Sequence, residues 1–454
     1  MDKVRPGTGP TLGSSSPLVH PLAGQSKTDL GALSSYMLML MLRNVTTGGF
    51  VIEDPLRPGQ YSRPGCVIAA PSYPSNTPGV DQDYIFNWIR DAAITMIELA
   101  EAKLPAVRGG VTVLGDYVSF AGLCFDNAAP TKGHACFTIG GQPRDWTEQN
   151  DGAALQILAL LRAYDQLDSA AKNAALDLIR KNLSYLLGVY QQPTTNLWEE
   201  HEGFSFFARS VQLRCLREIA ANTIGIVVPH DLQAAALWLE AALQAHWNGT
   251  YYVSLMVPGS NPPRSVADGY DANSDIACAC VYGAIPCTDT KLLATAALLR
   301  EQWLDPASPT MYPINGADRR IGVGPLLGRY PGDVYDGDVS HPVMGGHPWA
   351  LCTANFAELH YMLAKAIATS GKMPFDQYSA KFFGQLGIAA ETKIADATAA
   401  LHNAGDAMLR AIIYHSDHYE LSEQFDGRTG YEKSVRNLTW SYAAFLSALR
   451  ARTA

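Results

Sequence analysis

Residues 176–190 read LDLIRKNLSYLLGVY, and their apolar side chains recur at the three- and four-residue spacing of an α-helix. Leu176, Ile179, Leu183 and Leu186 lie on one apolar stripe. Similar patterns predict about twelve helices along the chain, near 30–44, 88–103, 111–124, 153–164, 176–190, 204–221, 228–247, 290–303, 349–370, 375–386, 391–413 and 436–451. Because no strands alternate regularly with these helices and no short repeat occurs, the sequence favours one large all-α domain.

The composition narrows the classes of partner. Of the 454 residues, 47% are hydrophobic and 17% are charged, which is enough apolar material for a large core. The formal net charge of −9 disfavours nucleic acid or an anionic membrane and favours a neutral partner. The longest apolar run, residues 36–42, is much shorter than the roughly 20 residues that cross a bilayer.

The N-terminal residues 1–28 hold Pro, Gly and Ser and are predicted to be a flexible lead-in to a single domain over 29–454. No apolar segment of a signal peptide is present in them. The expectation is a secreted or periplasmic protein whose leader is absent from this chain, with a cytoplasmic protein as the alternative. A monomer is expected.

The eight cysteines are too sparse for a disulfide scaffold, although one or two disulfides are compatible with the sequence. None falls in a paired C-x-x-C zinc pattern, and buried free thiols are the simpler interpretation. The sequence therefore predicts no metal site and no cofactor.

Four segments before predicted helices combine carboxylates with Trp and Tyr. They are 84–91 (YIFNWIRD), 145–152 (DWTEQNDG), 197–203 (LWEEHEG), and 422–426 (SEQFD) followed by 437–442 (NLTWSY). Aromatic faces can stack on the C–H patches of a pyranose while charged groups bind its hydroxyls. Cleavage of a glycosidic bond also needs one protonated and one ionised carboxyl group. Each segment alone could be ordinary core or a helix-start charge, but four together indicate a carbohydrate site.

These motifs resemble glycoside hydrolase family 15, the glucoamylases (glucan 1,4-α-glucosidases), and particularly the fungal-type catalytic domain, from about residue 30 to 451. The pieces that carry the resemblance are 197–200 (LWEE) with 205–207 (SFF), 422–424 (SEQ) with 438–442 (LTWSY), 328–331 (GRYP) with Asp333, Tyr335 and Trp349, 88–91 (WIRD), and more weakly 271–273 (DAN).

The resemblance implies an (α/α)6 barrel with its site at one mouth. Glu199 matches the general acid and Glu423 the general base of an inverting enzyme, whose carboxyl groups stand roughly 6.5–9.5 Å apart. Arg90 and Asp91 match the pair that holds the terminal glucose. The residues that match substrate-binding positions are Tyr84, Trp88, Arg90, Asp91, Trp146, Leu197 through its carbonyl, Trp198, Glu200, Arg329, Asp333, Tyr335, Trp349 and Trp440.

Two departures from the family affect the predicted specificity. Residues 149–152 read QNDG where fungal members read QRDG, so one cation near the site is missing, and the segment 336–347 is longer than usual. Chain-length and linkage preference are therefore left open. No Ser/Thr-rich stalk or starch-binding module follows residue 451 in this sequence.

The function that the resemblance implies is exo-acting release of β-D-glucose from the non-reducing ends of α-1,4-glucans and malto-oligosaccharides, with slower action on α-1,6 bonds. Starch, glycogen and shorter oligosaccharides are the neutral partners expected. One alternative is an enzyme for another α-glucoside, such as isomaltose or trehalose. A second alternative is a non-catalytic glycan-binding or regulatory module, but the presence of both Glu199 and Glu423 favours catalysis.

Overall fold

The structure is a computed structural model that describes residues 27–54, 57–71, 83–103, 112–221, 224–270, 272–337 and 345–454. In those ranges it contains fourteen α-helices: α1 (Lys27–Leu42), α2 (Ile89–Ala102), α3 (Val113–Asn127), α4 (Gly152–Ala163), α5 (Ser169–Val189), α6 (Phe206–Ala221), α7 (Leu232–Gln244), α8 (Asp275–Val281), α9 (Thr290–Leu304), α10 (Pro313–Arg320), α11 (Ala350–Ser370), α12 (Ala380–Gly384), α13 (Ile394–His415) and α14 (Thr439–Thr453). The short strands are β1 (Phe86–Trp88), β2 (Cys136–Thr138), β3 (Thr194–Thr195), β4 (Glu202–Ser205), β5 (Leu255–Met256), β6 (Gln424–Phe425) and β7 (Glu432–Lys433).

Six helices form a closed inner ring. In the order α2, α4, α6, α8, α11 and α14, each packs on the next, and α14 packs on α2 to close the ring. The helices α1, α3, α5, α7, α9 and α13 pack outside this ring on their inner neighbours. Outer and inner helices alternate along the chain, which is the (α/α)6 barrel that the sequence predicted.

The two layers differ in how their helices are buried. The outer helix α5 has one apolar face, with Leu178, Ile179, Leu183 and Leu186 buried, and its N-terminus is capped by the side chain of Asp168. The inner helix α11 is buried on every face of its first three turns. A one-sided apolar stripe is typical of a helix at the surface, and a helix without a polar face is typical of the interior. The sequence patterns of α5 and α11 therefore agree with their positions in the outer and inner layers.

About twelve helices were predicted and fourteen are described; one of the two that were missed belongs to the inner ring. The segment that forms α8 is only seven residues long and entirely buried, so it has no polar face from which a period could be recognised. The segment 375–386 was predicted as a helix instead, and it contains only the short α12, which packs on α9. The short helix α10 was also missed.

In the described parts of the chain, three small antiparallel sheets lie among the loops, with strand orders β1-β2, β3-β4-β5 and β6-β7. All eight cysteines are free, and seven of them are buried. Of the predicted lead-in, residues 1–26 lie outside the described residues, and α1 begins at Lys27. The division into domains stays a prediction.

No helix in the described ranges combines the length and apolar character that a bilayer crossing requires.

The alternation of layers brings the functional segments together. Because every inner helix follows an outer one, all six inner helices begin at the same end of the barrel. Trp88, Asp151, Trp349 and Leu438 immediately precede α2, α4, α11 and α14, so they meet at this mouth.

The ring is joined at the opposite end by an ion pair between α2 and α14. Arg450 donates to both carboxylate oxygens of Glu98, and burial raises the pKa of Glu98 while Arg450 opposes that rise. Arg450→Met should reduce the free energy of unfolding by about 1–3 kcal/mol at pH 7, because it leaves a buried carboxylate without its partner. The deficit relative to wild type should shrink at lower pH, since a protonated Glu98 needs no partner.

Urea unfolding at several pH values measures this effect. The exposed pair Arg43–Glu420 provides the control, and Arg43→Met should change stability by less than about 1 kcal/mol. A deficit in Arg450→Met that does not depend on pH would contradict the explanation.

Candidate active site

A cavity of about 690 Å³ lies among the segments gathered at the mouth of the barrel. All of the predicted site residues except Asp333 line it. The lining consists of Ala69, Asp83, Tyr84, Trp88, Arg90, Asp91, Arg144, Trp146, Leu197, Trp198, Glu199, Glu200, Arg329, Tyr335, Gly337, Trp349, Leu351, Glu423, Leu438 and Trp440. Their separate segments therefore form one site.

Glu199 is carried by the tight loop between β3 and β4, and its backbone is in the left-handed region with φ of 66°. The buried Asn196 organises this loop. Its carbonyl accepts from the N–H of Glu199 at 3.0 Å and from the Gln149 amide at 2.6 Å. Its side-chain oxygen accepts from the N–H of Glu200 at 2.8 Å. Sequence reasoning missed Asn196, although Asn before a tight turn is a recognisable signal.

Both carboxylate oxygens of Glu199 accept hydrogen bonds from the cavity wall. Arg90 donates to Oε1 at 3.0 Å, and the Trp146 indole donates to Oε2 at 2.7 Å. The Arg90 guanidinium is itself held by Gln149 at 2.9 Å and lies 3.4 Å from a carboxylate oxygen of Asp91. The first turn of α2 therefore sets the orientation of the Glu199 carboxylate.

Glu423 lies in a different environment, immediately before β6. Hydroxyl groups of Tyr84, Tyr335 and Ser434 donate to its carboxylate, with distances of 3.1 Å for Tyr84 and 3.3 Å for Tyr335. Burial raises the pKa of Glu423 to about 7, and these donors together with the charge of Arg329 limit the rise. Hydroxyl donors rather than an ion pair thus hold this carboxylate.

Arg329 connects Glu200 to Asp333. It donates to Glu200 at 2.8 Å and to both oxygens of Asp333 at 2.7 and 2.8 Å. The sequence predicted a direct substrate contact for Asp333, but the structure places this residue fully buried outside the cavity lining. Asp333 positions Arg329 and accepts the backbone N–H of Tyr335.

Indole rings form much of the wall. The ring centre of Trp198 lies 5.6 Å from that of Trp349 and 6.3 Å from that of Trp440. The indole N–H groups of Trp88 and Trp349 and one oxygen of Asp91 are buried without a hydrogen-bond partner among the described residues. These groups remain available to the hydroxyls of a bound sugar.

Asn150, at the departure from the family in residues 149–152, is not part of the cavity lining. It is buried, and its side-chain oxygen accepts from the Tyr185 hydroxyl at 2.7 Å. Asp271 and most of the long segment 336–347 lie outside the described residues, so their predicted contributions stay predictions. Sequence reasoning missed Asp83 and Arg144, although both adjoin segments that it singled out.

The structure describes no group of three or more His, Cys, Asp or Glu side chains that could hold a metal ion. The buried polar atoms of the site suit the hydroxyls of a neutral ligand.

Comparison with known proteins assigns the family. A family model described as "Glycosyl hydrolases family 15" matches residues 39–110 and 141–450. The chain is 25% identical over 442 residues to a probable glucoamylase of Schizosaccharomyces pombe, covering 91% of this chain and 89% of that relative. It is 27% identical over 440 residues to a glucoamylase of Blastobotrys adeninivorans, covering 86% of this chain and 67% of that relative.

Solved structures agree with this assignment. The glucoamylase of Hormoconis resinae aligns with a TM-score of 0.74 at 25% identity, over 94% of this chain and 73% of that one. The glucoamylase of Saccharomycopsis fibuligera shares the fold, with a TM-score of 0.75 at 24% identity over 94% and 95% of the two chains. With most of its length matched by the family model, the chain belongs to glycosyl hydrolase family 15.

Proposed function

We propose that this protein is an exo-acting, inverting glucan 1,4-α-glucosidase that releases β-D-glucose from the non-reducing ends of α-1,4-glucans and malto-oligosaccharides. The main observation that supports the proposal is that Glu199 and Glu423 line the same cavity but lie in two different environments. Relatives named glucoamylase support the choice of substrate. A monomer and a secreted or periplasmic location remain part of the proposal.

In the proposed reaction, Glu199 donates a proton to the glycosidic oxygen while Glu423 accepts one from the attacking water. The hydroxyl donors around Glu423 support its role as the base, because they stabilise an ionised carboxylate that accepts hydrogen bonds. Arg90 and the Trp146 indole support the role of Glu199 by holding its carboxyl group in one orientation.

The remaining cavity groups fit a neutral sugar. Arg90 and Asp91, at the start of α2, would hold the terminal glucose, and Glu200 with Arg329 would bind sugars at the cut. Each guanidinium already contacts at least two carboxylates, so neither cluster brings an uncompensated positive charge into the pocket. A neutral, hydroxyl-rich ligand can add hydrogen bonds to these groups without separating them.

Substitution of either carboxylate tests the proposal. Glu199→Gln and Glu423→Gln should each lower turnover of maltotriose by roughly 10²–10⁴-fold while binding persists, because general acids and bases contribute that much. Glu202→Gln, at an exposed position on β4, is the matched control and should keep its activity. Near wild-type turnover in either variant would show that its carboxylate has another role. Measured side by side, glucose release from maltose, isomaltose and trehalose decides the linkage preference.

The stereochemistry of the product tests the mechanism separately. If Glu423 activates water on the face opposite the leaving group, one displacement converts an α-linked substrate into β-glucose. Proton NMR within minutes of mixing enzyme and maltotriose should show β-glucose before mutarotation. Initial α-glucose would exclude the inverting mechanism, and the absence of any product would favour a glycan-binding module.

The hydroxyl of Ser434 should shift the acid limb of the pH profile. Glu423 must be ionised to act as a base, so kcat/KM should fall as the pH drops through its pKa of about 7. Ser434 lowers that pKa by its hydrogen bond, so Ser434→Ala should move the acid limb to higher pH. The control is Ser119→Ala at an exposed position on α3. An acid limb that does not move would contradict the role of Ser434.

A further inference from the structure

Two arginines outside the cavity are buried without a carboxylate partner among the described residues. They are Arg209 on α6 and Arg300 on α9, and burial lowers the pKa of each guanidinium to about 10. The other buried arginines, Arg90 and Arg329, both contact carboxylates. Because a buried charge is costly when nothing compensates it, Arg209 and Arg300 need a different explanation.

Each of these two guanidinium groups donates to a buried histidine. Nη1 of Arg209 lies 2.9 Å from Nε2 of His246, and Nη1 of Arg300 lies 2.9 Å from Nε2 of His360. The other ring nitrogen, Nδ1, lies 2.6 Å from a backbone carbonyl in both rings, that of Val253 for His246 and that of the preceding turn of α11 for His360. A guanidinium only donates and a carbonyl only accepts, so each ring carries its single proton on Nδ1.

Neither imidazole can take up a second proton without disrupting this arrangement. A protonated ring would direct an N–H at the guanidinium N–H groups and place two positive charges side by side. Both rings are fully buried, and burial together with the neighbouring charge lowers the pKa of His246 and of His360 to about 3. Among the described residues, Arg209 and Arg300 are the ionisable groups that act on the two rings.

Both pairs join the two layers of the barrel. Arg209 belongs to the inner helix α6, and His246 directly follows the outer helix α7. In the second pair the order is reversed, since Arg300 belongs to the outer helix α9 and His360 to the inner helix α11. Protonation of the imidazoles would therefore break contacts between the layers at two separate places.

We propose that the pairs Arg209–His246 and Arg300–His360 form an acid-sensitive lock, which holds the outer helices on the inner ring only while both imidazoles are neutral. In the unfolded chain a histidine takes up a proton near pH 6.5. The folded chain does so only near pH 3, so stability is complete above the first value and is lost as the pH falls below it. Each histidine should then reduce the equilibrium constant for folding about 10-fold per pH unit.

Urea unfolding between pH 7 and pH 5 tests the lock. The stability advantage of the wild type over His246→Gln, and over His360→Gln, should shrink about 10-fold in the equilibrium constant per pH unit below about 6.5, because glutamine takes up no proton. The comparison with the wild type cancels buried carboxyl groups such as Glu358, whose pKa of about 7 has the opposite effect. His230→Gln, at an exposed position just before α7, is the matched control and should show no such trend.

Nitrogen NMR of the folded wild type tests the inference without relying on the stability of the variants. Of the eleven histidines, at least two should remain neutral at pH 5 with the proton on Nδ1. His347 is distinguishable from them, because its Nδ1 accepts from the N–H of Gly427 and a neutral ring there carries its proton on Nε2. Each folded glutamine variant should lose one of the two signals, which assigns them.

Three results would overturn the lock. The first is fewer than two neutral rings with the proton on Nδ1 in the folded protein at pH 5. The second is a variant in which neither of these signals is lost. The third is a difference in stability between the wild type and the His246 or His360 variant that stays constant from pH 7 to pH 5. None of these measurements uses a substrate, so the outcome is independent of the proposed function.

Discussion

Closure of the inner ring by α14 against α2 is the constraint on which the site depends. Because the ring is closed and its helices are parallel, the position of each loop at the mouth is set by the helix that follows it. The helix α2 carries Arg90 in its first turn and Glu98 about two turns later. The pair Glu98–Arg450 and the contact Arg90–Glu199 therefore lie at two ends of one helix, and ring closure determines where Glu199 lies.

The energetics of burial explain why the polar groups occur in clusters. A buried ion is costly unless an opposite charge and hydrogen bonds compensate it. Arg90 lies between Glu199, Asp91 and Asp151, while Arg329 lies between Glu200 and Asp333. Glu423 forms no such pair among the described residues; burial raises its pKa to about 7, and the hydroxyl donors only limit that rise. Glu199 and Glu423 thus lie in different environments, one beside a guanidinium and the other beside phenols and a serine.

The sequence allowed two kinds of prediction: helices with a regular apolar period, and site residues that belong to short local motifs. Long outer helices such as α5 show their polar and apolar faces directly, whereas α8 is buried all round and has no detectable period. Motifs located the cavity wall but not the depth of each side chain, so Asp333 was expected on the wall and lies behind Arg329. Arg144 was missed for a related reason: whether an arginine lines the cavity depends on contacts between segments that are distant in the chain.

The left-handed backbone at Glu199 explains how two adjacent carboxylates serve two different clusters. Such a conformation costs a non-glycine residue about 1–3 kcal/mol and persists only where the surroundings over-determine it. The carbonyl and side chain of Asn196 bind the backbone N–H groups of Glu199 and Glu200 and so offset that cost. The resulting bend directs Glu199 to Arg90 on α2 and Glu200 to Arg329 across the cavity. A regular hairpin turn would not place neighbouring side chains on these two guanidinium groups, so the backbone strain is part of how the site is assembled.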